Sequence, residues 1–279
     1  MLSYQHGYHA GNFADVVKHF TLVHVLRHLT QKDKPFFYLE THAGRGLYDL
    51  YQPQGLKTQE STHGIRLVWD QRASLPKIFD DYVNIINHIN PQNTLRFYPG
   101  SPLIAHSLLR DNDRSLYCEM HPTEFQYLEN MPYRRKKGRV FEGDGLLNMK
   151  STLPPQERRG LIFIDPSYEV KTDYRLLPEL LKDAYARFET GIYCVWYPLI
   201  DKKINEKFKR SLLNVGAKSF LSLEFMLEPV FKAQGMKGCG LFIINPPYLL
   251  ASQLKEGMHV LCRLLNPGVS TFILDAHVK

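Results

Sequence analysis

Short apolar segments that alternate with amphipathic segments constrain the fold of this chain more than any other feature. The segments PFFYLE (35–40), SLYCE (115–119) and GLIFID (160–165) are largely apolar, and each ends in an acidic residue. Continuous apolar runs of this kind are typical of strands that are buried on both faces of a parallel sheet. Strands that alternate with helices form βαβ units, so the sequence predicts an α/β fold with a mostly parallel, twisted sheet and helices on both faces.

The bounds of the other elements follow from the same patterns. Apolar runs predict strands at 35–40, 115–119, 139–142, 160–165, 191–197, 218–226 and 240–245. Apolar residues at helical spacing predict helices at 14–29, 64–72, 75–89, 102–110, 123–130, 174–188, 201–214 and 254–265. Residues 48–98 interrupt the alternation, because they begin with turn residues and then hold two of these helices. We therefore expect one domain over residues 1–279, with a small inserted helical subdomain at 48–98.

Charge and composition narrow the class of protein. The 35 basic and 28 acidic side chains give a net charge of +7, which favours a polyanionic partner. The four cysteines show no C-x-x-C spacing and are expected to be reduced thiols that bind no metal. The apolar runs are far shorter than the about 20 residues that cross a bilayer. With no secretory signal visible at the N-terminus, the sequence predicts a cytoplasmic protein without a membrane partner.

The loops that follow the first three predicted strands hold small residues and acids, at the edge where open α/β sheets bind ligands. The segment 40–46 (ETHAGRG) lets a ligand approach the backbone, or it is a simple turn. Glu119 can accept hydrogen bonds from two ribose hydroxyls, or it is a solvent-facing charge. Asp144, between Gly143 and Gly145, can accept from an amine on a flat ring, or it caps a helix.

The fourth strand ends in Asp165-Pro166-Ser167-Tyr168, which is the most informative motif of the chain. Pro166 stiffens the turn, so the Asp165 carboxylate and the Pro166 carbonyl can both accept from an amino group, while the Tyr168 ring can stack on a base. An aromatic amine that is attacked by an electrophile must lose a proton. Two acceptors beside a stacking ring therefore suit N6 of adenine. Alternatively, Pro166 only terminates the strand and the motif has no role in catalysis.

Three further patterns have structural alternatives. The segment 245–248 (NPPY) resembles the fourth strand's motif, but it follows the last predicted strand, so we expect a structural role. The basic run 134–139 (RRKKGR) suits phosphate contacts with salt-dependent binding, or it is a solvated loop. His24 and His28 are one helical turn apart without a third ligand, so metal binding is not expected.

The glycine-containing loop, Glu119, the GDG segment and the D-P-x-Y motif, in this order, resemble S-adenosylmethionine-dependent amino-methyltransferases. More specific segments are MLSY (1–4), HAGN (9–12), ADV (14–16), KH (18–19), THAG (41–44), YPGSP (98–102) and WYP (196–198). Together they resemble the bacterial RlmJ family from end to end, including the helical insertion. The resemblance implies a Rossmann-like methyltransferase fold and methylation of N6 of one adenine in 23S rRNA, adenine 2030 in the family's usual designation.

The resemblance also implies which residues bind the cofactor, S-adenosyl-L-methionine. Lys18, His19 and His42 would hold its methionine part, with Ser101 nearby. Glu119 would bind the ribose, and Asp144 and Gly145 would contact the adenine. The implied cofactor-binding set is completed by Gly44 and Asp165.

The substrate side is implied in the same way. Asp165 would bind the target N6 amine and take its proton, with the Pro166 carbonyl as a second acceptor. Tyr168 would stack on the flipped-out base, and Tyr4 would touch the RNA. The methyl group would move directly and in line to N6. The expected partner is 23S rRNA, either naked or in an early assembling particle, and the protein is expected to be a monomer that needs no metal.

Two positions depart from the family pattern, and several alternatives stay open. The family usually has Asp where Glu40 stands and D-P-P-Y where this chain has Ser167. Ser167 leaves the Pro166 carbonyl in place, so we expect a modest effect on rate. The alternatives are an amino-methyltransferase that acts on DNA adenine or on a protein glutamine, a nicotinamide dehydrogenase, and an inactive RNA-binding homologue.

Overall fold

A computed structural model describes residues 4–131, 138–170, 172–227 and 236–277. Its strands are β1 (Phe37–Glu40), β2 (Leu47–Asp49), β3 (Phe97–Pro99), β4 (Arg114–Glu119), β5 (Gly138–Glu142), β6 (Gly160–Ile164), β7 (Ile192–Leu199), β8 (Phe220–Met226), β9 (Gly238–Ile244) and β10 (Thr271–His277). The seven predicted strands are all present, and their ends differ from the predicted ends by at most two residues. Residues 1–3 of the MLSY segment and 134–137 of the basic run lie outside the described residues.

Eight of these strands form one sheet in the order β10-β8-β9-β7-β6-β1-β4-β5. The five strands from β7 to β5 run parallel, whereas β9 is antiparallel to both β7 and β8, and β10 is antiparallel to β8. The prediction of a mostly parallel α/β sheet is confirmed. The chain runs from β1 outward to β4 and β5, and then returns to β6 on the other side of β1. This reversal of strand order opens a crevice at the carboxyl ends of β1 and β6.

The helices cover both faces of the sheet. They are α1 (Phe13–Thr30), α2 (Pro53–Thr58), α3 (Ile65–Asp70), α4 (Asp80–Ile89), α5 (Ser101–Leu108), α6 (Pro122–Glu129), α7 (Gly145–Thr152), α8 (Asp173–Arg187), α9 (Lys202–Leu213) and α10 (Leu250–Leu265). The elements α2 and α7 and the strands β2, β3 and β10 were not predicted. None of the helices within the described ranges has the length and apolar character that a bilayer crossing requires.

The alternation of side chains along the strands divides the core between the two faces. Tyr38 and Phe163 belong to the apolar cluster that includes residues of α1, α5 and α10. Leu39 and Ile162 point to the opposite face and pack with residues of α7, α8 and α9. Both clusters are closed to water, so the sheet is buried on both sides, as the continuous apolar runs predicted. Three of the four thiols are buried and all four are free.

The segment 48–98 begins and ends in an antiparallel strand pair. Tyr48 of β2 lies opposite Tyr98 of β3, and the chain between them forms α2, α3, α4 and short 3-10 turns. The predicted helix 75–89 is present as a 3-10 turn, Lys77–Phe79, followed by α4. The side chains of α3 and α4 pack into the same apolar cluster as α1. The division of this segment into a separate subdomain remains a prediction.

Candidate active site

A cavity of about 390 Å³ opens at the carboxyl ends of the parallel strands, where the strand order reverses. Its wall contains every residue that the resemblance assigned to the cofactor, namely Lys18, His19, His42, Gly44, Ser101, Glu119, Asp144, Gly145 and Asp165. Pro166 and Tyr4 also line it. The structure therefore brings together side chains that are far apart in sequence. The described residues contain no group of three or more His, Cys, Asp or Glu side chains suited to holding a metal ion.

The loop after β1 is tied to the end of β4. The backbone N–H of Gly44 donates to Glu119 Oε2 over 2.7 Å, and the N–H of His121 donates to Glu119 Oε1 over 2.7 Å. Gly44 has a φ of +64°, and a Cβ at this position would lie 2.6 Å from the Tyr48 hydroxyl. A glycine is therefore required here by both conformation and space. Burial raises the pKa of Glu119, although the two N–H donors favour the carboxylate.

Asp144 caps α7, which confirms one of the two interpretations of the GDG segment. Its Oδ1 accepts from the backbone N–H groups of Leu146 and Leu147 over 2.9 and 3.1 Å. Because Asp144 also lines the cavity, capping does not preclude contact with a ligand. A Cβ on Gly145 would lie 2.2 Å from the Thr41 carbonyl oxygen. The small residue after Asp144 thus allows α7 to pack against the loop that follows β1.

The Asp165 carboxylate forms an ion pair within the cavity wall. Its Oδ2 lies 2.6 Å from Lys18 Nζ, and the same ammonium lies 2.9 Å from Asp15 Oδ1. The side chains of Lys18 and Asp165 are 6% and 15% exposed. Although burial favours the neutral amine, the two carboxylates raise the pKa of Lys18 above its ordinary value. The ammonium that was expected to hold the cofactor's methionine part is therefore already shared by two acids.

The N-terminal segment joins this group of charges. The Tyr4 hydroxyl lies 2.9 Å from His6 Nδ1, and His6 Nε2 lies 2.9 Å from Asp15 Oδ2. The Tyr4 ring stacks on His9, with ring centroids 5.6 Å apart. A hydrogen-bonded chain therefore runs from Tyr4 through Asp15 and Lys18 to Asp165. No signal in the sequence links residues 4–15 to Asp165, and Asp15 was assigned no role.

Two buried histidines complete the polar wall. His19 Nδ1 lies 2.7 Å from the Tyr98 hydroxyl, which in turn lies 2.9 Å from the Tyr82 hydroxyl. Within the described part of the chain, His19 Nε2 has no hydrogen-bond partner. Burial lowers the pKa of His19 and lowers that of His42 to about 4. Both imidazoles are therefore neutral at pH 7, and His19 Nε2 is left to bind a ligand.

Glu40 lies behind this wall rather than in it. Its side chain is fully buried, and it accepts hydrogen bonds from the hydroxyls of Ser101 and Tyr38, the latter over 2.9 Å. Burial raises the pKa of Glu40 to about 8. The Glu40 carboxyl group therefore holds Ser101, the first residue of α5, against the end of β1.

Comparison with known proteins decides the family. Residues 33–273 match the family model described as ribosomal RNA large subunit methyltransferase D, RlmJ. The chain belongs to this family.

Individual relatives of this RlmJ family agree over almost the whole chain. "Ribosomal RNA large subunit methyltransferase J" of Escherichia coli is 41% identical over 96% of this chain and 95% of its own. The protein of the same name in Haemophilus influenzae is 42% identical over the same shares. A solved structure from Legionella pneumophila has a TM-score of 0.92 and 47% identity, and the match covers 97% of this chain and 99% of that one. The Rossmann-like methyltransferase fold that the resemblance implied is confirmed.

Tyr168 is the one predicted site residue of this RlmJ family member that does not line the cavity. It is 7% exposed, and its hydroxyl donates to the Trp196 carbonyl oxygen over 2.6 Å. Its ring packs against Tyr174 and Phe208, with centroids 4.7 and 5.8 Å away. Its φ of +54° is strained for an aromatic residue. Stacking on a base would require the ring to leave this cluster, so that role remains a prediction.

The competing NPPY segment lies at the end of the strands that is opposite the cavity. It follows β9, whose last residue pairs with Tyr193 at the start of β7. Because β9 is antiparallel to β7, the segment is at the amino ends of the parallel strands, away from the cavity. Asn245 donates to the carbonyl oxygens of Glu189 and Gly191 over 2.7 and 2.8 Å, and Tyr248 is 84% exposed. The prediction that this motif is structural is supported by its position.

Proposed function

We propose that this protein methylates N6 of one adenine in 23S rRNA, adenine 2030 in the family's designation, with S-adenosyl-L-methionine as the cofactor. The observation that carries the proposal is the position of Asp165 and Pro166 in the wall of the same cavity as Glu119 and Asp144. Family membership and the names of the relatives from E. coli and H. influenzae support ribosomal RNA as the substrate class. The basic net charge of +7 suits a polyanion.

The residues present fit the cofactor. His19 Nε2 is a buried ring nitrogen without a hydrogen-bond partner among the described residues, so it can bind a polar group of the ligand. Glu119 retains lone pairs beyond those used by its two N–H donors, and it can accept from ribose hydroxyls. Asp144 and Gly145 would contact the cofactor's adenine, while Lys18, His42 and Ser101 would lie near its methionine part. The bound cofactor would supply an electrophilic methyl group on a sulfonium.

Asp165 carries the proton chemistry in this proposal. The lone pair of the adenine amine is delocalised into the ring, so the amine is a weak nucleophile. As N6 gains the methyl group it develops positive charge and must lose one proton. The Asp165 carboxylate accepts that proton, and the Pro166 carbonyl accepts a second hydrogen bond, which orients the amine. Precise orientation and preorganised charge are both large contributions to rate, and no covalent enzyme intermediate is required.

The target base has to leave its stack to reach such a cavity. Extrusion costs a few kcal/mol, and stacking on an aromatic side chain returns about 1–3 kcal/mol. Tyr168 is the proposed stacking partner, once its ring turns out of the cluster with Tyr174 and Phe208. Tyr4, which also lines the cavity, is proposed to touch the RNA. The proposed setting is a cytoplasmic monomer acting on 23S rRNA that is naked or in an early assembling particle.

The proposal is tested by offering one enzyme several acceptors. Purified protein with methyl-labelled cofactor is incubated separately with 23S rRNA transcripts, adenine-containing DNA duplexes and cell protein, and the modified residue is identified by mass spectrometry. We expect N6-methyladenosine in the 23S rRNA alone. Label in DNA adenine or in glutamine would establish a different acceptor. RNA binding without methyl transfer would identify an inactive homologue, and binding of a nicotinamide cofactor in place of the sulfonium would identify a dehydrogenase.

A further inference from the structure

Asp15 is a buried carboxylate whose partners lie on both sides of it. Its side chain is 2% exposed. Its Oδ2 accepts from the Gly11 backbone N–H over 2.9 Å and lies 2.9 Å from His6 Nε2, while its Oδ1 lies 2.9 Å from Lys18 Nζ. The Lys18 ammonium also lies 2.6 Å from Asp165 Oδ2. One buried cation is thus shared between an acid inside α1 and the acid that follows β6.

We propose that Asp15 is a positioning residue that shares the Lys18 ammonium and so keeps the Asp165 carboxylate basic enough to accept the proton of the substrate amine. The proposal rests on the proposed function, because it concerns the base of that reaction. Asp15 itself touches neither the amine nor the methyl group in this account. It acts through Lys18 alone.

The charge around Asp165 depends on whether Lys18 is paired with one carboxylate or with two. A carboxylate paired with one buried ammonium has its charge neutralised, and such a pair lowers a carboxyl pKa by about 1–3 units. Asp165 would then be a weak base. A second carboxylate on the far side of the ammonium offsets this effect, because the group of three carries a net negative charge. Asp15 and Lys18 are three residues apart on α1, so the helix fixes their separation.

Other ionisable groups surround this triad. Those that interact with Asp165 besides Lys18 are Tyr4, Glu40, His42, Tyr168, Cys194 and Cys239. Those that interact with Asp15 besides Lys18 are Tyr4, His6, His9, His19, Tyr48, Glu60, Tyr82, Tyr98 and Cys239. The substitution Asp15→Asn removes the carboxylate charge at position 15 and removes none of these other ionisable groups. A change in the titration of Asp165 then reports the charge at position 15.

Asp15→Asn removes the charge while keeping the shape. An amide has one acceptor oxygen, so it cannot accept from Lys18 on one side and from Gly11 and His6 on the other. Lys18 is then left with Asp165 as its charged partner. The matched control is Asp113→Asn, since Asp113 is 1% exposed and is paired with Arg110 over 2.8 Å, but does not line the cavity.

The experiment measures titration and turnover in the full-length protein. The ¹³Cγ resonance of Asp165, assigned by its loss in Asp165→Asn, is followed against pH without RNA. In Asp15→Asn we expect its midpoint to move to lower pH by about one unit. We expect kcat per folded molecule to fall by up to about tenfold, the KM for the cofactor to change less than about twofold, and the acid limb of the kcat profile to shift to lower pH. Asp113→Asn should change none of these.

Several outcomes would overturn the proposal. The first is an Asp165 titration midpoint that is the same in folded Asp15→Asn as in the wild type. The second is a loss of activity in Asp15→Asn that matches the loss of folded protein, so that kcat per folded molecule is unchanged. Either result would show that Asp15 contributes to stability alone. If Asp15→Asn does not fold, Asp15→Ser is measured in the same way, and failure of both to fold would lead to the same conclusion. If the wild-type protein transfers no methyl group to RNA, the proposed function fails. The titration of Asp165 still tests the sharing of Lys18 in that event.

Discussion

The Asp165 carboxylate lies 2.6 Å from the Lys18 ammonium, although the two residues are 147 positions apart. Lys18 belongs to the helix that precedes the first strand, and Asp165 follows β6. The strand order places β6 directly beside β1, which brings the end of β6 to the helix that leads into β1. A cation and the proposed proton acceptor are therefore held together in the wall of one cavity.

Glu119 offers a test of the cofactor site. Glu119→Gln places an NH2 group against the Gly44 or His121 N–H and removes the charge that the ribose hydroxyls would meet. Charge-assisted hydrogen bonds contribute about 1.5–3 kcal/mol, so we expect the Kd for S-adenosyl-L-methionine to rise roughly 10- to 100-fold. Calorimetry measures this directly. The control is Glu142→Gln, because Glu142 is exposed and lies opposite Glu119 on β5; equal affinity in both variants would argue against the ribose role.

Two Tyr168 variants separate the ring from its hydroxyl. Tyr168→Phe removes the donor to the Trp196 carbonyl oxygen and should cost about 1 kcal/mol of unfolding free energy. Tyr168→Ala empties a packed cluster and should cost about 3–5 kcal/mol. Because the proposed stacking needs the ring, kcat per folded molecule should fall much further in Tyr168→Ala than in Tyr168→Phe. Urea denaturation and methyl-transfer assays check both, and equal losses of kcat would speak against stacking.

Glu40 should make stability depend on pH. Burial raises its pKa to about 8 from an ordinary value of 4.5, so between these values the folded state binds more protons than the unfolded state. Its contribution to the unfolding free energy is complete below about pH 4.5 and is lost as the pH rises towards 8. Glu40→Gln keeps the hydrogen bonds but cannot titrate.

Urea denaturation of Glu40→Gln and of the wild type at several pH values isolates this contribution. The unfolding free energy of the wild type should fall relative to that of the variant as the pH rises from about 5 to about 8. Histidines with lowered pKa values act in both proteins and cancel in the difference. A difference that stays constant over this range would show that Glu40 is ionised in the folded state.

The NPPY segment should be dispensable for chemistry. Asn245→Ala removes two hydrogen bonds to backbone carbonyl oxygens and places alanine at a φ of +52°, so we expect a loss of about 1–3 kcal/mol in unfolding free energy. Tyr248→Ala, at a highly exposed position, should change stability by less than about 0.5 kcal/mol. Both variants should keep the wild-type kcat per folded molecule, and a large loss of kcat in either would reopen this segment as the catalytic motif.

Much of the fold could be predicted because the strands of a parallel sheet are apolar on both faces. The GLIFID segment, for example, was predicted to be a strand buried between helices, and β6 is fully buried. The strand β10 was missed because it lies at the edge of the sheet and its residues are half-buried or exposed. Helix α7 was indicated only by the interpretation of Asp144 as a helix cap, and no bounds were predicted for it. The Asp144 side chain both caps α7 and lines the cavity, so the two interpretations do not exclude each other.

The candidate site was only partly predictable from sequence. Residues at the carboxyl ends of strands, such as Glu119 and Asp165, could be placed by the topology of the sheet alone. Lys18 was assigned by family resemblance. The contacts of Asp15 could not be predicted, because the hydrogen-bonded chain joins the N-terminal segment to β6 through tertiary packing that leaves no spacing pattern. The burial of Tyr168 depends equally on the distant residues Tyr174 and Phe208.

The most direct test of the central claim is nucleoside mass spectrometry of 23S rRNA from cells that lack this protein, complemented with either the wild type or Asp165→Asn. The account predicts that one N6-methyladenosine disappears without the protein, returns with the wild type and stays absent, or falls at least about 100-fold in formation rate, with Asp165→Asn. Asp165→Asn should still bind the cofactor. Full restoration of the modified nucleoside by Asp165→Asn, or its presence in cells that lack the protein, would contradict the account.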